Sequence, residues 1–437
     1  MSLLAAAHTQ GQGLGNSPYS RVGLGDFTGN VGGVRQQGMG GIGLAAPNTS
    51  NVNELNPAML AYTTRTTYEA GFNALFRRLH TVSQSNRTGS ASLAYLALAV
   101  PLSKNWGAAV GLKPFTSVDF EANTQAAVIN DPDKAISFVN EQGKGGLSEA
   151  YLSQGYRIGK GFSVGATASY VFGSIDLSTS TAVVKPTDIT ENITRVVRRE
   201  QLHYSDFAFR GAAHYRSKIT EKLNYNLAGV YSFQTDLSGT RSLTQDREDV
   251  TGFKLPFDQM MELVDQKGKA IIPALTQVGI SLDNNRNWSA NLDVAQQQWS
   301  KYRAFSGSAT TATLSNTLRV GVGGEYTPDA TAVENYFKRV TYRVGLTAAQ
   351  MPYQPNGQMI YDRSVSWGFA FPLPSATPLD ATVIGLAFTY GQRGNKDTYL
   401  LNDAQGTRTV NNVKDDYLKL QLGVTLNNRW FIKRQIE

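Results

Sequence analysis

The stretch FSVGATASYVF, residues 162–172, alternates from Phe162 to Tyr170. Phe162, Val164, Ala166, Ala168, Tyr170 and Phe172 take one parity, and Ser163, Gly165, Thr167 and Ser169 take the other. Successive side chains on a strand point to opposite faces, so this pattern predicts a strand with one apolar, aromatic face and one small or polar face. The same period of two recurs at Tyr68, Ala70, Phe72, Ala74 and Phe76, at Leu223, Tyr225, Leu227, Tyr231 and Phe233, and at Leu418, Leu420, Leu422, Val424 and Leu426. A soluble sandwich would bury the apolar face, whereas a membrane barrel turns it to lipid and lines a lumen with the polar one.

Three features favour the barrel. The alternating segments run for ten or more residues, longer than the usual sandwich strand of about 5–6. Aromatic residues sit near segment ends, at Trp106, Trp288, Tyr302, Tyr326, Trp367, Tyr390 and Trp430, where amphipathic rings prefer the lipid-water boundary. Short turns such as Ser103 to Asn105, Gly159-Lys160, Thr220-Glu221 and Asp283 to Asn285 alternate with long polar connections, as short periplasmic turns and long outer loops do.

The reading is therefore an all-β fold, a transmembrane antiparallel β-barrel of about fourteen strands. The segments lie near 66–82, 91–102, 106–125, 147–158, 161–183, 197–218, 222–244, 269–283, 287–304, 313–328, 339–352, 363–373, 380–396 and 417–431. Outer loops are expected around 126–145, 184–196, 246–267, 305–312 and 397–416, with short helices at Phe257–Val264 and Asp131–Asn140.

Composition agrees with a single large architecture. The 437 residues contain no linker or low-complexity tract to divide them. The absence of cysteine removes disulfide frameworks, thiolate metal sites and thiol catalysis. No apolar run approaches about 18 residues, which excludes a helical span. The net charge of +7 is scattered rather than clustered, so nucleic acid is not an expected partner. Residues 1–10, with Ala5 and Ala7 spaced as in a cleavage site, read as a signal-peptide remnant or a disordered start.

Residues 11–62 lack both periods and are expected to form a plug, with 63–437 as its wall. The plug centres on QQGMGGIGLAAPNTSNVNELNPAML, Gln36 to Leu60, with Gly38, Gly40, Gly41 and Gly43 near its start and Asn56, Pro57 and Ala58 near its end. Irregular backbone of this kind needs hydrogen-bond partners from elsewhere. Gly38 to Gly43 formally matches GxGxxG, but without a preceding strand and a following helix it reads as a tight glycine-rich loop. Ala91 to Leu102 is apolar on both faces, so its inner side should meet the plug or an apolar cargo. Pro114 cannot donate to a sheet ladder, so its strand should kink there and could open a lateral gap.

These residues carry a family resemblance. Asn56-Pro57-Ala58 after a glycine-rich segment resembles the plug motif of the FadL-type outer-membrane transporters of hydrophobic compounds, in the branch of Bacteroidetes-like bacteria. Ala94-Tyr95 through Trp106-Gly107 to Lys113-Pro114-Phe115 resembles that family's second hairpin and kinked third strand. Ile272-Pro273-Ala274 through Trp288 and Asp293 to Gln298-Trp299-Ser300 resembles its paired mid-chain strands, and Tyr342 to Leu346 with Met351-Pro352 a later strand and loop. The resemblance implies a bacterial outer-membrane barrel with an internal hatch. It further implies passive uptake of hydrophobic small molecules such as long-chain fatty acids, leaving through the wall beside the kinked strand. It also leaves an alternative: a non-transporting barrel subunit of a larger outer-membrane protein secretion or assembly complex. A plain polar porin would need an unobstructed lumen.

Parity places Arg77, Arg157, Asp206, Arg210, Arg319 and Arg343 in the lumen, together with Glu149, His214, Asp293, Glu325 and Lys419. Mixed signs suggest pairs that hold the plug, because an unpaired buried charge is expensive. The histidines, His8, His80, His203 and His214, stand in no nucleophile-base pattern, so catalysis is not expected. No ligand spacing supports a metal, and no cofactor is implied. Expected partners are outer-membrane lipid, a hydrophobic ligand and a candidate larger complex.

Overall fold

The computed structural model describes residues 17–21, 23–28, 32–82, 85–128, 131–185, 193–249, 251–256, 261–305, 314–354, 357–375, 382–403 and 406–428. Fourteen strands close an antiparallel barrel. They are β1 (Thr66–His80), β2 (Ser85–Pro101), β3 (Trp106–Ala127), β4 (Ile136–Ile158), β5 (Phe162–Val184) and β6 (Thr194–Thr220). Then come β7 in two pieces (Leu223–Ser232 and Thr235–Asp249), β8 in two pieces (Met261–Ile272 and Leu275–Asp283), β9 (Trp288–Gln297) and β10 (Thr317–Tyr326). β11 (Thr341–Gln350), β12 (Tyr361–Pro372), β13 (Val383–Arg393) and β14 (Lys414–Asn428) complete the wall. Closure is made by β1 on β14, in register from Thr66 opposite Asn428 to His80 opposite Lys414.

The period of two explains which face each side chain takes. Phe72, Phe76, Phe207, Phe209, Leu346 and Tyr390 are exposed on the outside, whereas Ser163, Thr167 and Ser169 on the alternate parity of β5 are buried. The break in β8 falls at Pro273-Ala274, where proline has no N–H to give, and the Gln297 side chain caps the Pro273 carbonyl at 3.1 Å.

The wall is lopsided. β6 has 27 residues and β9, β10 and β11 have 10 each. At about 3.3 Å per residue β6 spans about 90 Å, well past a hydrocarbon core of about 30 Å. β3 to β8 therefore rise as a tall half-wall above the long-loop side.

This height corrects several expectations. Most of 126–145 and 246–267 continues the strands rather than looping; of 184–196, Val184 and Thr194 to Val196 are strand and 186–192 lie outside the described residues; and 397–416 holds a hairpin, Thr398–Asp403 on Gly406–Asn411. Ile136 to Asn140 is strand, not helix, and pairs with β3 and β5. Of Phe257–Val264, the first four residues lie outside the described residues and Met261 to Val264 is strand. These segments are long ladders because each pairs along its length with a neighbouring strand, which local composition does not reveal.

Under the tall half-wall an apolar cluster fills the top of the barrel. Leu24, Val118, Phe120, Leu147, Ile175 and Tyr204 pack there with Trp299, Tyr302, Phe305 and Leu314 from the connection between β9 and β10. Among the described residues of the stretch from Gly11 to Arg35, expected to be irregular, Pro18–Arg21 is a 3-10 turn, Asp26–Phe27 a short strand, and a helical turn, Val34–Gly38, begins.

Candidate functional site

The N-terminal segment runs inside the barrel, touching wall strands around the whole circumference. Its Asn56 side chain is wholly buried, with Oδ1 accepting from Ala58 N at 2.9 Å and Nδ2 donating to the Leu44 carbonyl at 2.9 Å. Pro57 at the first helical position opens the 3-10 helix Pro57–Tyr62. Asn56→Ala therefore removes a cap and strands a buried carbonyl. It should cost the segment about 2 kcal/mol, read as faster amide exchange at Ala58 and Met59 with the barrel strands unchanged.

The glycine-rich loop exposes backbone that the wall satisfies. Gly40 and Gly43 adopt φ of +85° and +111°, conformations that side chains resist. The freed Gly40 carbonyl accepts from Arg319 Nη2 at 2.7 Å and from Thr347 Oγ1 at 2.7 Å, and the Gly41 carbonyl accepts from Arg319 at 3.2 Å. The N–H groups of Gly43 and Leu44 donate to Asp293 at 2.7 and 2.9 Å. Gly38 packs on the Arg343 side chain.

Charges complete the attachment. Arg35 holds both oxygens of Glu325, at 3.2 and 2.5 Å, and Arg343 donates to the same carboxylate at 3.1 Å. Glu54 sits between Lys113 at 3.4 Å and the Tyr151 hydroxyl. Arg210 donates to the Glu54 carbonyl at 3.3 Å and Arg157 to the Ala61 carbonyl at 3.1 Å. The Arg157 guanidinium also lies 4.4 Å over the Tyr62 ring. Asp206 departs from its expected role: its carboxylate accepts from Phe207 N and Ser238 N at the break in β7, so it braces the wall and not the inner segment.

Wall glycines form the counterpart of this segment, and sequence reading missed them. Gly107, Gly155 and Gly165 stand opposite one another across β3, β4 and β5. A Cβ on any of them would meet the backbone of Pro57, Ala58 or Leu60 at 2.1 to 2.4 Å. Gly323 and Gly345 are partners across β10 and β11, and each faces the Met39 carbonyl. Each ladder is visible only once the register is known.

The β3–β4 register shifts between Pro114 and Thr116, and that of β1–β2 between Gly71 and Phe72, leaving Ala94 as an extra residue. The two bulges bend β2 and β3 apart, and their mutual pairing stops at Leu96 opposite Leu112. Above that point Asp26–Phe27 pairs with Ser117 and Thr116 on the edge of β3. A cavity of about 960 Å³ lies in the lumen and reaches Leu93 and Ala94 on one side of this seam and Leu112 and Pro114 on the other. The doubly apolar Ala91 to Leu102 meets the inner segment: Tyr95, Ala97 and Ala99 pack with Val52 and Leu60.

Asp26 anchors the upper strap. It receives Arg393 at 3.2 Å and Ser17 Oγ at 2.7 Å, and Arg77 lies 3.7 Å away while also holding Asp415 at 2.9 Å. The Tyr19 and Tyr353 rings stack beside it at 5.2 Å, and burial pushes both phenols well above their ordinary range. Asp26→Asn leaves these arginines short of one carboxylate. It should raise amide exchange over residues 17–28 about a hundredfold, equal to about 3 kcal/mol, without moving β5 or β6.

His214 is buried with Nδ1 3.2 Å from the Tyr62 hydroxyl, and His203 lies 3.0 Å from Ser174 Oγ on the exposed side. His8 lies outside the described residues.

A closed fourteen-stranded barrel with a lipid-facing apolar band, its lumen occupied by the chain's own N-terminal segment, defines an integral protein of the bacterial outer membrane. A family model described as BamG matches residues 1–437, and the chain belongs to the BamG family. No curated protein matches it. Among solved structures it is similar to a FadL homologue of Pseudomonas aeruginosa, at 15% identity and a TM-score of 0.59, covering 93% of this chain and 99% of that one. The toluene transporter TodX of Pseudomonas putida is similar at 14% identity and a TM-score of 0.59, covering 92% and 100%. The monoaromatic hydrocarbon channel CymD is similar at 17% identity and a TM-score of 0.55, covering 93% and 99%. At such identity these neighbours establish the shared fold.

Proposed function

We propose that this barrel is a non-transporting subunit of a larger outer-membrane protein secretion or assembly complex, its N-terminal segment serving as a fixed plug. The observation that carries the reading is the lumen. The segment is bonded to the wall by buried charges on several sides, and an apolar cluster with Trp299, Tyr302 and Phe305 packs against the inside of the tall half-wall. Between them the cavity wall mixes apolar residues such as Leu75, Leu93 and Leu112 with Arg77, Lys113, Arg319, Arg393 and Lys419, cations that tie the segment and strap to the wall. A hydrocarbon crossing that space would have to pass these charged groups, and any water it displaced from them would leave hydrogen bonds it cannot replace. Full-length membership of a family distinct from the hydrocarbon channels supports the same reading.

A second reading is favoured by the seam between β2 and β3. Passive uptake of hydrophobic small molecules such as long-chain fatty acids would use it as a lateral exit from the cavity, and similar solved structures are described as hydrocarbon channels. Placement in a Bacteroidetes-type branch goes with this proposal.

Flux separates the two. Proteoliposomes holding a fluorescent fatty-acid sensor should take up oleate no faster than protein-free vesicles. Accelerated uptake that Asp26→Asn alters would overturn the first reading in favour of the second.

A further inference from the structure

On the outside of β1 the exposed apolar row Tyr68, Phe72, Phe76 is followed by Arg78, one step nearer the long-loop side. Its partner across the ladder on β2 is Arg87, so two arginines face each other directly on the lipid side. Like charges opposed in this way destabilise a strand pair. Among the described residues neither has a carboxylate within ion-pair distance. On the other side Arg78 stands opposite Asp416 of β14. That carboxylate is already shared: Lys414 Nζ lies 3.3 Å away, His80 Nε2 3.6 Å, and Gln392 of β13 donates to it at 2.8 Å. Lys396, from the connection after β13, is also close enough to act on His80. Among the described residues Asp416 is the acid ion-paired within this group of Arg78, Arg87, His80, Lys414 and Lys396, which stands directly above an apolar band continued on β14 by Leu418, Leu422 and Leu426.

We propose that this patch binds the phosphorylated head group of an outer-leaflet glycolipid, with the acyl chains lying on the aromatic and leucine surface below. The position fits because the cations begin where the lipid-facing band ends. The chemistry fits because a phosphate between Arg78 and Arg87 turns an opposed like-charge pair into two charge-assisted contacts. Only a lipid uses both halves of the surface, since a free phosphate would leave the apolar half unengaged.

The test is native mass spectrometry of the full-length protein from nanodiscs carrying diphosphoryl lipid A, its dephosphorylated counterpart, or phosphatidylethanolamine alone. Wild type should retain the diphosphorylated lipid selectively. The double variant Arg78→Gln/Arg87→Gln should reduce that retention about thirtyfold, with folding checked by heat-modifiable mobility. Asp416→Asn, which removes the competing acid, should increase retention and serves as the readout if the double variant fails to fold. Equal retention of phosphorylated and dephosphorylated lipid, or a double variant that binds as wild type does, would overturn the proposal. So would an Asp416→Asn variant that binds no more tightly.

Discussion

Replacing Glu325 by alanine is expected to lower the opening free energy of the inner segment by about 3–5 kcal/mol. The carboxylate is bonded to two buried arginines from different elements, Arg35 of the segment and Arg343 of β11. Removing it leaves two cations facing each other with no counter-charge, and the loss falls on the attachment rather than on the barrel ladder. Hydrogen exchange at Gln37, Met39 and Gly40 should accelerate by more than a hundredfold, while exchange in β5 and β6 stays as in wild type. Uniform acceleration across the barrel would mean instead that the segment and wall unfold as one unit. Glu325→Gln, which keeps the shape and one acceptor, should fall between the two.

Gly345→Ala is expected to push the glycine-rich loop off the wall. A Cβ there would lie 2.0 Å from the Met39 carbonyl oxygen and 2.6 Å from Gly40 N. Both contacts are backbone, so no side chain can rotate away, and overpacking of this kind costs about 3 kcal/mol or more. The consequence should be loss of the Arg319 and Thr347 bonds to Gly40, seen as protease sensitivity between Gly38 and Leu44 and a rise in conductance across a planar bilayer. Gly229→Ala is the control, since a Cβ at that glycine meets nothing within 4 Å. Equal behaviour of the two variants would show that the fit at Met39 is loose.

The wall was legible because lipid and lumen impose opposite polarities on alternate residues, so FSVGATASYVF declares its two faces without further context. The kink at Pro114 was legible for a local reason, the missing N–H. The height of β3 to β8 was not, because strands of Asn, Gln, Ser and Gly such as Ser137 to Gly143 look like loop until their ladder partners are known. The charges were half legible. Parity placed Arg319 and Arg343 inside, but it said nothing of Asp26, Arg35 and Glu54, which lie in a segment without period. The wall glycines were invisible singly and gained meaning only in register, as Gly107, Gly155 and Gly165 did. Lys113 was missed for a related reason: it sits beside the bulge, where parity shifts.

The central claim is that the barrel works as a closed partner within a larger assembly. Native mass spectrometry of the complex extracted gently from its own outer membrane tests it most directly. A closed partner should give a stoichiometric mass that joins this chain to a larger outer-membrane protein, with no fatty-acid-sized adduct in the lumen. A monomer carrying a hydrocarbon or fatty-acid mass, and no protein partner, would contradict it.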